Sequence, residues 1–257
     1  MTAWVQRHQL TTFLVTAFAF TWALLPSASV SIPISLLALT GPAVAAVVTA
    51  ALCGRRELAE LWQRVTDWRL PLRWYLAGLL LPLAVSALRT AIETAAGVPG
   101  GIELQPIGAL SLVVFVLVAG EEIGWRGFAL PRLLSRYGPW RASAIIGLVW
   151  SVWHFPLFFM PGMPQYGTPF LSYVPYLIAL STVMTVLALF TRSSVIIATI
   201  FHGSVNTIGI VCADANAIER GWSNAASYAL AAGLMTFLVT RARRTGSRHP
   251  RELASPL

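Results

Sequence analysis

The sequence contains no lysine and has few charged residues of any kind. Charged side chains make up 11% of the 257 residues, hydrophobic residues make up 56%, and the mean hydropathy is +0.70. Soluble domains carry about a quarter charged residues, so this composition excludes an ordinary water-soluble protein. The chain is therefore predicted to reside in lipid.

Cysteine is also scarce. The two cysteines, Cys53 and Cys212, lie in or at the end of apolar runs and show no CxxC spacing. This pattern excludes a disulfide framework and a thiolate metal site. Both cysteines are interpreted as small core residues.

The formal net charge of +8 comes from 18 arginines. These arginines cluster in short segments between apolar runs, where basic residues act as topology determinants. We therefore expect no nucleic-acid partner, and the partner that the composition indicates is the lipid bilayer.

Eight apolar runs are long enough to cross a hydrocarbon core, which requires roughly 20 helical residues. The sequence thus predicts a single polytopic domain over residues 1–257, an all-α integral membrane protein with about eight transmembrane helices and a polar intramembrane site. The first run resembles a cleavable signal peptide but is expected to be retained, because more spans follow it. The runs are approximately 10–25, 32–53, 74–92, 107–130, 141–160, 173–190, 194–212 and 222–240.

Arginines on alternate connections predict the orientation, with both termini in the cytoplasm. The compact, arginine-only chain is typical of a multi-pass protein of the bacterial inner membrane. Residues 55–70 have the helical spacing of an interfacial amphipathic helix, and approximately residues 241–257 are predicted to form a basic, mobile cytoplasmic tail. The arginines expected in connections or in the tail are Arg55, Arg56, Arg64, Arg69, Arg73, Arg126, Arg132, Arg136, Arg141, Arg192, Arg241, Arg243, Arg244, Arg248 and Arg251.

Two adjacent carboxylates and an arginine interrupt the fourth apolar run, in the sequence GEEIGWRG over 120–127. Charged residues within a span are rare and are functional candidates by default. Because Glu122 and Arg126 are four residues apart, a helix places them on one face, where they can pair. Glu121 is rotated by about 100° and has no such partner on its own helix. We predict Glu121 as the catalytic base, supported by Glu122 and Arg126.

Two later runs contribute further polar residues. His154 lies inside the fifth run, and His202 and Asn206 lie four apart in the seventh, which places them on one helix face. Both His202 and Asn206 can donate hydrogen bonds, as an oxyanion hole requires. Counted at about 1.5 Å per residue from the arginine-bearing ends, these residues and Glu121 reach similar depths. The pattern predicts one site shared by three helices.

These motifs resemble those of the CAAX protease and bacteriocin-processing (CPBP) family of intramembrane proteases, which includes Rce1-like enzymes. The resemblance covers roughly residues 107–212. One departure is Trp150, since the second motif usually begins with Phe. The three motifs are Glu121-Glu122-x-x-x-Arg126, Trp150-x-x-x-His154 and His202-x-x-x-Asn206.

The resemblance implies an eight-span helical core and glutamate-dependent peptide hydrolysis. It implies that Glu121 and His154 activate water and that His202 and Asn206 stabilise the oxyanion. Glu122 and Arg126 would then hold the arrangement. The implied substrate is a membrane-associated peptide or protein, prenylated in eukaryotic relatives and linked to bacteriocin maturation or self-immunity in bacterial ones.

The sequence leaves the use of a metal open. Glu121, His154 and His202 could ligate zinc, with water in the fourth position, as in a zinc-dependent membrane metalloprotease. Against this, the sequence has no HExxH pair, and Asn206 is a poor zinc ligand. We expect hydrolysis without a cofactor.

Two other functional classes remain as alternatives. Buried Glu and His residues on several spans could form the relay of a proton-coupled transporter, although the sequence shows no inverted repeat. A non-catalytic immunity protein could keep the same fold, although all six motif residues are present. The main prediction is a membrane-embedded endopeptidase.

Overall fold

A computed structural model describes residues 2–28, 37–98, 103–104, 108–213 and 217–244, and these ranges are almost entirely helical. Long apolar runs adopt helices because lipid offers no partner to the backbone, so each N–H and C=O must be bonded within its own segment. The α-helices are α1 Thr2–Arg7, α2 Gln9–Ala28, α3 Gly41–Cys53, α4 Arg55–Thr66, α5 Leu72–Ala95, α6 Ala109–Glu122, α7 Leu130–His154, α8 Phe170–Phe190, α9 Val195–Val211 and α10 Ala217–Arg244. A π-helix, Ile123–Ala129, joins α6 to α7, and a 3₁₀-helix, Phe155–Phe159, follows α7.

Four described helical stretches have the length and composition to cross a membrane: Gln9–Ser27, Leu72–Ala95, Leu117–Phe159 and Phe170–Phe190. Gly41–Cys53 and Val195–Ile208 are shorter apolar helices. These helices confirm the prediction of an all-α, multi-pass membrane protein. The number of helices that cross the membrane stays a prediction.

The connection predicted between the fourth and fifth runs is helical, and the expectation of a loop around Arg132 and Arg136 is wrong. Helix α7 begins at Leu130, and Gly138, a non-helical residue with φ 72° and ψ 174° just before Pro139, divides it into two helical parts that meet at a kink. The proline ring keeps the residue before it out of the α region, and glycine tolerates the positive φ. The chain therefore turns at Gly138, between the two helical parts.

The predicted ends of two further elements also differ. The fourth run was expected to be one α-helix to about residue 130, but its α-helix ends at Glu122 and the π-helix follows. The predicted tail begins later than residue 241, because α10 continues to Arg244. The rest of the tail, with Arg248 and Arg251, lies outside the described residues, as do residues 32–36 of the second run.

Glycines allow the helices around the core to approach closely. A Cβ on Gly147 of α7 would lie 2.4 Å from Ile178 Cα of α8, and a Cβ on Gly124 would lie 2.4 Å from Pro42 Cβ of α3. Small residues are the usual means by which helices pack in lipid, where van der Waals contact drives association. These contacts press the π-helix against α3, and α7 against α8.

Helix α4 forms within the segment that the amphipathic pattern predicted to be helical, although it ends at Thr66, and it packs against the π-helix. Its location at the membrane interface stays a prediction. Leu61 is buried beside Gly127 of the π-helix, whereas Trp62 is 65% exposed. Arg132 of α7 pairs with Glu57 of α4. Helix α4 therefore contacts the π-helix and α7, which carry several of the site residues described next.

Candidate active site

Glu122 and Arg126 form the predicted ion pair in the interior of the protein. Arg126 Nη1 donates to Glu122 Oε1 over 2.9 Å, and both side chains are 0% exposed. Glu122 is the last residue of α6, and Arg126 lies in the π-helix. Single π-helical turns within α-helices occur frequently at functional sites. Each charge compensates the other in a region where an unpaired charge would be strongly unfavourable.

His202 joins the same carboxylate from another helix. Its Nδ1 lies 2.8 Å from Glu122 Oε1, so one oxygen accepts from both Arg126 and His202. Because a carboxylate next to an arginine accepts hydrogen bonds, Nδ1 of His202 carries the proton in this contact. Sequence reasoning placed His202 in the site but missed this bond, which connects α9 to α6.

Glu121 has a hydrogen-bond partner that the sequence analysis did not predict. Nε1 of Trp150 in α7 donates to Glu121 Oε2 over 2.8 Å, and both residues are buried. The expectation that Glu121 lacks a partner holds for its own helix only. The signal in the sequence was the Trp at a motif position usually occupied by Phe, because only Trp has a ring N–H to donate.

The Trp150 ring also contacts three other predicted site residues. The Arg126 guanidinium lies over the ring at 4.5 Å from its centroid, a cation–π geometry. The rings of His202 and His154 have centroids 4.9 Å and 5.8 Å from that of Trp150. Trp150 is thus the one side chain among these that contacts Glu121, Arg126 and both histidines.

His154 is held in one tautomer by its own helix. Its Nδ1 lies 2.9 Å from the main-chain oxygen of Trp150. A carbonyl oxygen can only accept, so Nδ1 donates, and in the neutral ring Nε2 keeps a lone pair. The rings of Trp153 and Tyr173 pack edge-on against His154 at 4.7 Å and 5.7 Å. The histidine is therefore oriented with one nitrogen available as a proton acceptor.

Asn206 is the sixth predicted site residue. It lies one helical turn after His202 on α9 and is half-buried. The hydrogen bonds and ring contacts that join the other five residues around Trp150 do not include it. The structure therefore brings together Glu121, Glu122, Arg126, His154 and His202. It places Asn206 on the same helix as His202, one turn further on.

The same residues include the donors that the zinc alternative would require. Within the described ranges, no group of three or more His, Cys, Asp or Glu side chains is arranged to hold a metal ion. Glu121, His154 and His202, the zinc ligands of the alternative interpretation, do not form such a group. Hydrolysis without a cofactor stays a prediction.

Comparisons with known proteins match the part of the chain that carries this site. Residues 103–208 match a family model described as type II CAAX prenyl endopeptidase Rce1-like. The CAAX prenyl protease 2 of Methanococcus maripaludis is 36% identical over 125 residues, which cover 42% of this chain and 45% of that relative. The chain thus matches less than half the length of this curated relative. All six predicted site residues lie within 103–208.

Proposed function

We propose that this membrane protein is an endopeptidase, because residues 103–208 match the model of the Rce1-like CAAX prenyl endopeptidase family. It hydrolyses a peptide bond of a membrane-associated protein or peptide. The observation that carries this proposal is the buried cluster around Trp150, in which two carboxylates, an arginine and two histidines meet inside the family-matched segment. Ionisable groups at such a position in a membrane protein indicate chemistry.

In the proposed reaction, Glu121 and His154 activate a water molecule. The water gives a proton to the Glu121 carboxylate as its oxygen bonds to the carbonyl carbon of the substrate, and the carbonyl oxygen becomes an oxyanion. The lone pair on His154 Nε2 orients the water by accepting its second hydrogen. The C–N bond then breaks, and the proton held by Glu121 passes to the leaving amine nitrogen.

His202 and Asn206 stabilise the oxyanion in this proposal. Since Nδ1 of His202 donates to Glu122, donation from Nε2 requires a ring that is protonated on both nitrogens. The Glu122 carboxylate supplies the negative charge that such an imidazolium needs beside it. The side-chain amide of Asn206 is the second donor. Removing one oxyanion donor typically lowers kcat by about 100- to 1,000-fold.

We also propose the substrate class and the orientation. The substrate is a lipid-modified C-terminal peptide of the CAAX type, the class named in the relative from Methanococcus maripaludis. Its lipid chain would hold the scissile bond at the membrane. The protein lies in the cell membrane with both termini in the cytoplasm, because the arginine-rich connections favour that side.

The test is cleavage of a farnesylated CAAX peptide and its unfarnesylated form by detergent-purified protein, with and without a strong chelator. Glu121→Gln is compared with Glu60→Gln, a matched removal of one carboxylate from the surface of α4, where Glu60 pairs with Arg56 and Arg64. We expect Glu121→Gln to abolish cleavage and Glu60→Gln to retain it. We also expect cleavage to persist in the chelator and to favour the farnesylated peptide.

Three results would each overturn a part of the proposal. Full activity of Glu121→Gln would remove Glu121 from the reaction. Loss of cleavage in the chelator, restored by zinc, would replace the metal-independent mechanism with the zinc-dependent one. Equal cleavage of the two peptides would contradict the proposed substrate class and leave the endopeptidase activity standing.

A further inference from the structure

Trp150 is the structural centre of the candidate site, although it occupies a motif position where the family that the sequence resembles usually has Phe. Its indole N–H is 2.8 Å from Glu121 Oε2, and the contact is buried from solvent. A buried donor facing a carboxylate makes a charge-assisted bond, which is stronger than a neutral one and has a defined direction. The bond therefore fixes one oxygen of Glu121.

We infer that Trp150 is a positioning residue for the proposed general base: its indole N–H holds Glu121 Oε2 so that Oε1 faces the reacting water. This inference rests on the proposed function, since it assigns how Glu121 is oriented for hydrolysis. Phe fills a similar shape but cannot donate. This chain therefore fixes its glutamate by a bond that the usual residue of the second motif cannot form.

The rest of the Trp150 environment shows why the indole itself is well fixed. Its ring is covered by the Arg126 guanidinium, lies in a T-shaped contact with the His202 ring and is tilted against the His154 ring. Trp150 is 1% exposed, so its χ angles cannot change without moving these neighbours. A donor held in this way keeps Glu121 oriented before substrate arrives, which is the condition under which positioning contributes to rate.

The chain offers a matched control. Trp125 is also 1% exposed, and its ring packs against Phe13 and Trp153. Its Nε1 has no hydrogen-bond acceptor among the residues that the structure describes. Replacing Trp125 or Trp150 by Phe removes the same atoms from a buried ring, but only Trp150→Phe removes a donor to Glu121.

The first experiment measures cleavage of the farnesylated CAAX peptide by wild type, Trp150→Phe, Trp125→Phe and Glu121→Gln. A hydrogen bond to a charged group is worth about 1.5–3 kcal/mol, so we expect kcat of Trp150→Phe to fall by about 10- to 100-fold with KM changed by no more than about twofold. We expect the pH profile of kcat to change in Trp150→Phe and to match wild type in Trp125→Phe. Unchanged kcat in Trp150→Phe, with Glu121→Gln inactive, would overturn the inference and leave the proposed function intact.

A second experiment detects the bond without any activity. In protein labelled with ¹⁵N at the indole nitrogens, the ¹H–¹⁵N signal missing from Trp150→Phe belongs to Trp150. We expect Glu121→Gln to shift this signal and to leave the Trp125 signal, identified with Trp125→Phe, in place. A Trp150 signal that stays in place in Glu121→Gln would overturn the inference, whether or not the protein cleaves the peptide. An active Glu121→Gln variant would instead remove Glu121 from the proposed reaction, and absence of cleavage by the wild type would count against the proposed function.

Discussion

At the scale of single residues, the two adjacent glutamates differ in what they are bonded to. Glu122 Oε1 accepts from Arg126 and His202, whereas Glu121 Oε2 accepts from a neutral indole. A glutamine at position 121 keeps an oxygen that can accept from Trp150. A glutamine at position 122 leaves a fully buried guanidinium without its counter-ion. The same chemical change therefore has different consequences at the two positions.

We predict that Glu122→Gln lowers the free energy of unfolding by about 3–5 kcal/mol, the usual effect of removing one partner of a buried ion pair. Glu121→Gln should lower it by less while abolishing cleavage. Thermal unfolding of both variants in detergent, beside the peptide assay, checks this. Equal losses of stability would contradict the division of roles between the two carboxylates.

The Glu122–Arg126 pair could be predicted from the sequence because it depends only on a spacing of four residues along one helix. The bond from Trp150 and the contact of His202 with Glu122 could not. Each joins side chains on different helices, and the sequence gives no rotation of one helix relative to another. The similar depths of these residues along their helices predicted that they share one site. For the same reason, the depths could not predict which atoms of those residues are in contact.

At the scale of helices and turns, α7 and α8 pack at a distance set by Gly147. Their contact leaves no room for a methyl group, because an added Cβ would meet the Ile178 backbone, including Cα at 2.4 Å. Backbone cannot move aside as a flexible side chain can. His154 lies on the same helix, two turns further on.

We predict that Gly147→Ala destabilises the protein by about 1–3 kcal/mol, as overpacking does, and reduces cleavage by displacing α7. Gly233→Ala is the control, since Gly233 lies inside α10 with no neighbouring atom within 4 Å of an added Cβ. It should stabilise the helix by roughly 0.5–1 kcal/mol. Thermal unfolding of the two variants measures whether each substitution raises or lowers stability. Destabilisation of both variants would contradict the packing argument.

Helix α4 supplies a second test at this scale. Leu61 is 2% exposed and packs beside Gly127, whereas Leu58 on the same helix is 37% exposed. We predict that Leu61→Ala costs about 2–5 kcal/mol of unfolding free energy and that Leu58→Ala costs much less. In detergent, cleavage of α4 by an added protease should be faster in Leu61→Ala than in Leu58→Ala, because only Leu61→Ala loosens the contact of α4 with the π-helix. Similar losses for the two leucines would mean that α4 is not docked through Leu61.

The existence of the helices could be predicted from the apolar runs, but several of their junctions could not. A run of apolar residues has the same composition in an α-helix and in a π-helix, so the change at Ile123 left no pattern to detect. The segment around Arg132 was expected in a connection because its arginines lie between two apolar runs. Its ion pair with Glu57 could not be predicted, because that contact depends on tertiary structure.

At the scale of the whole molecule, ion pairs fasten the arginine-rich end. Arg192, before α9, makes hydrogen bonds of 2.8–3.0 Å to the carboxylate of Asp67, which follows α4. Arg132 pairs with Glu57. These pairs hold α4 against α7 and α9 at the end of the bundle that the charge distribution predicts to be cytoplasmic.

We predict that a membrane-impermeant maleimide distinguishes the two ends. With Cys53 and Cys212 replaced by Ser, Gln63→Cys on the exposed side of α4 should react only in inside-out vesicles. Ala96→Cys, just after α5, should react only in right-side-out vesicles. The opposite pattern would invert the orientation, and labelling of both positions from one side would mean that α5 does not cross the membrane.

The structure between α6 and α7 depends on the number of residues in the π-helix more than on how apolar those residues are. A π-turn closes over five residues where an α-turn closes over four, so it holds one more residue than the turn it replaces. Deleting one residue between Ile123 and Trp125 would therefore convert the π-turn into an ordinary α-turn. The helices on either side would keep their relative phase, but Arg126 would follow Glu122 by three residues instead of four, and the turn that carries it would change shape. A single-codon deletion here would act on the Glu122–Arg126 pair rather than on the direction of α7, and it would leave the hydropathy profile almost unchanged.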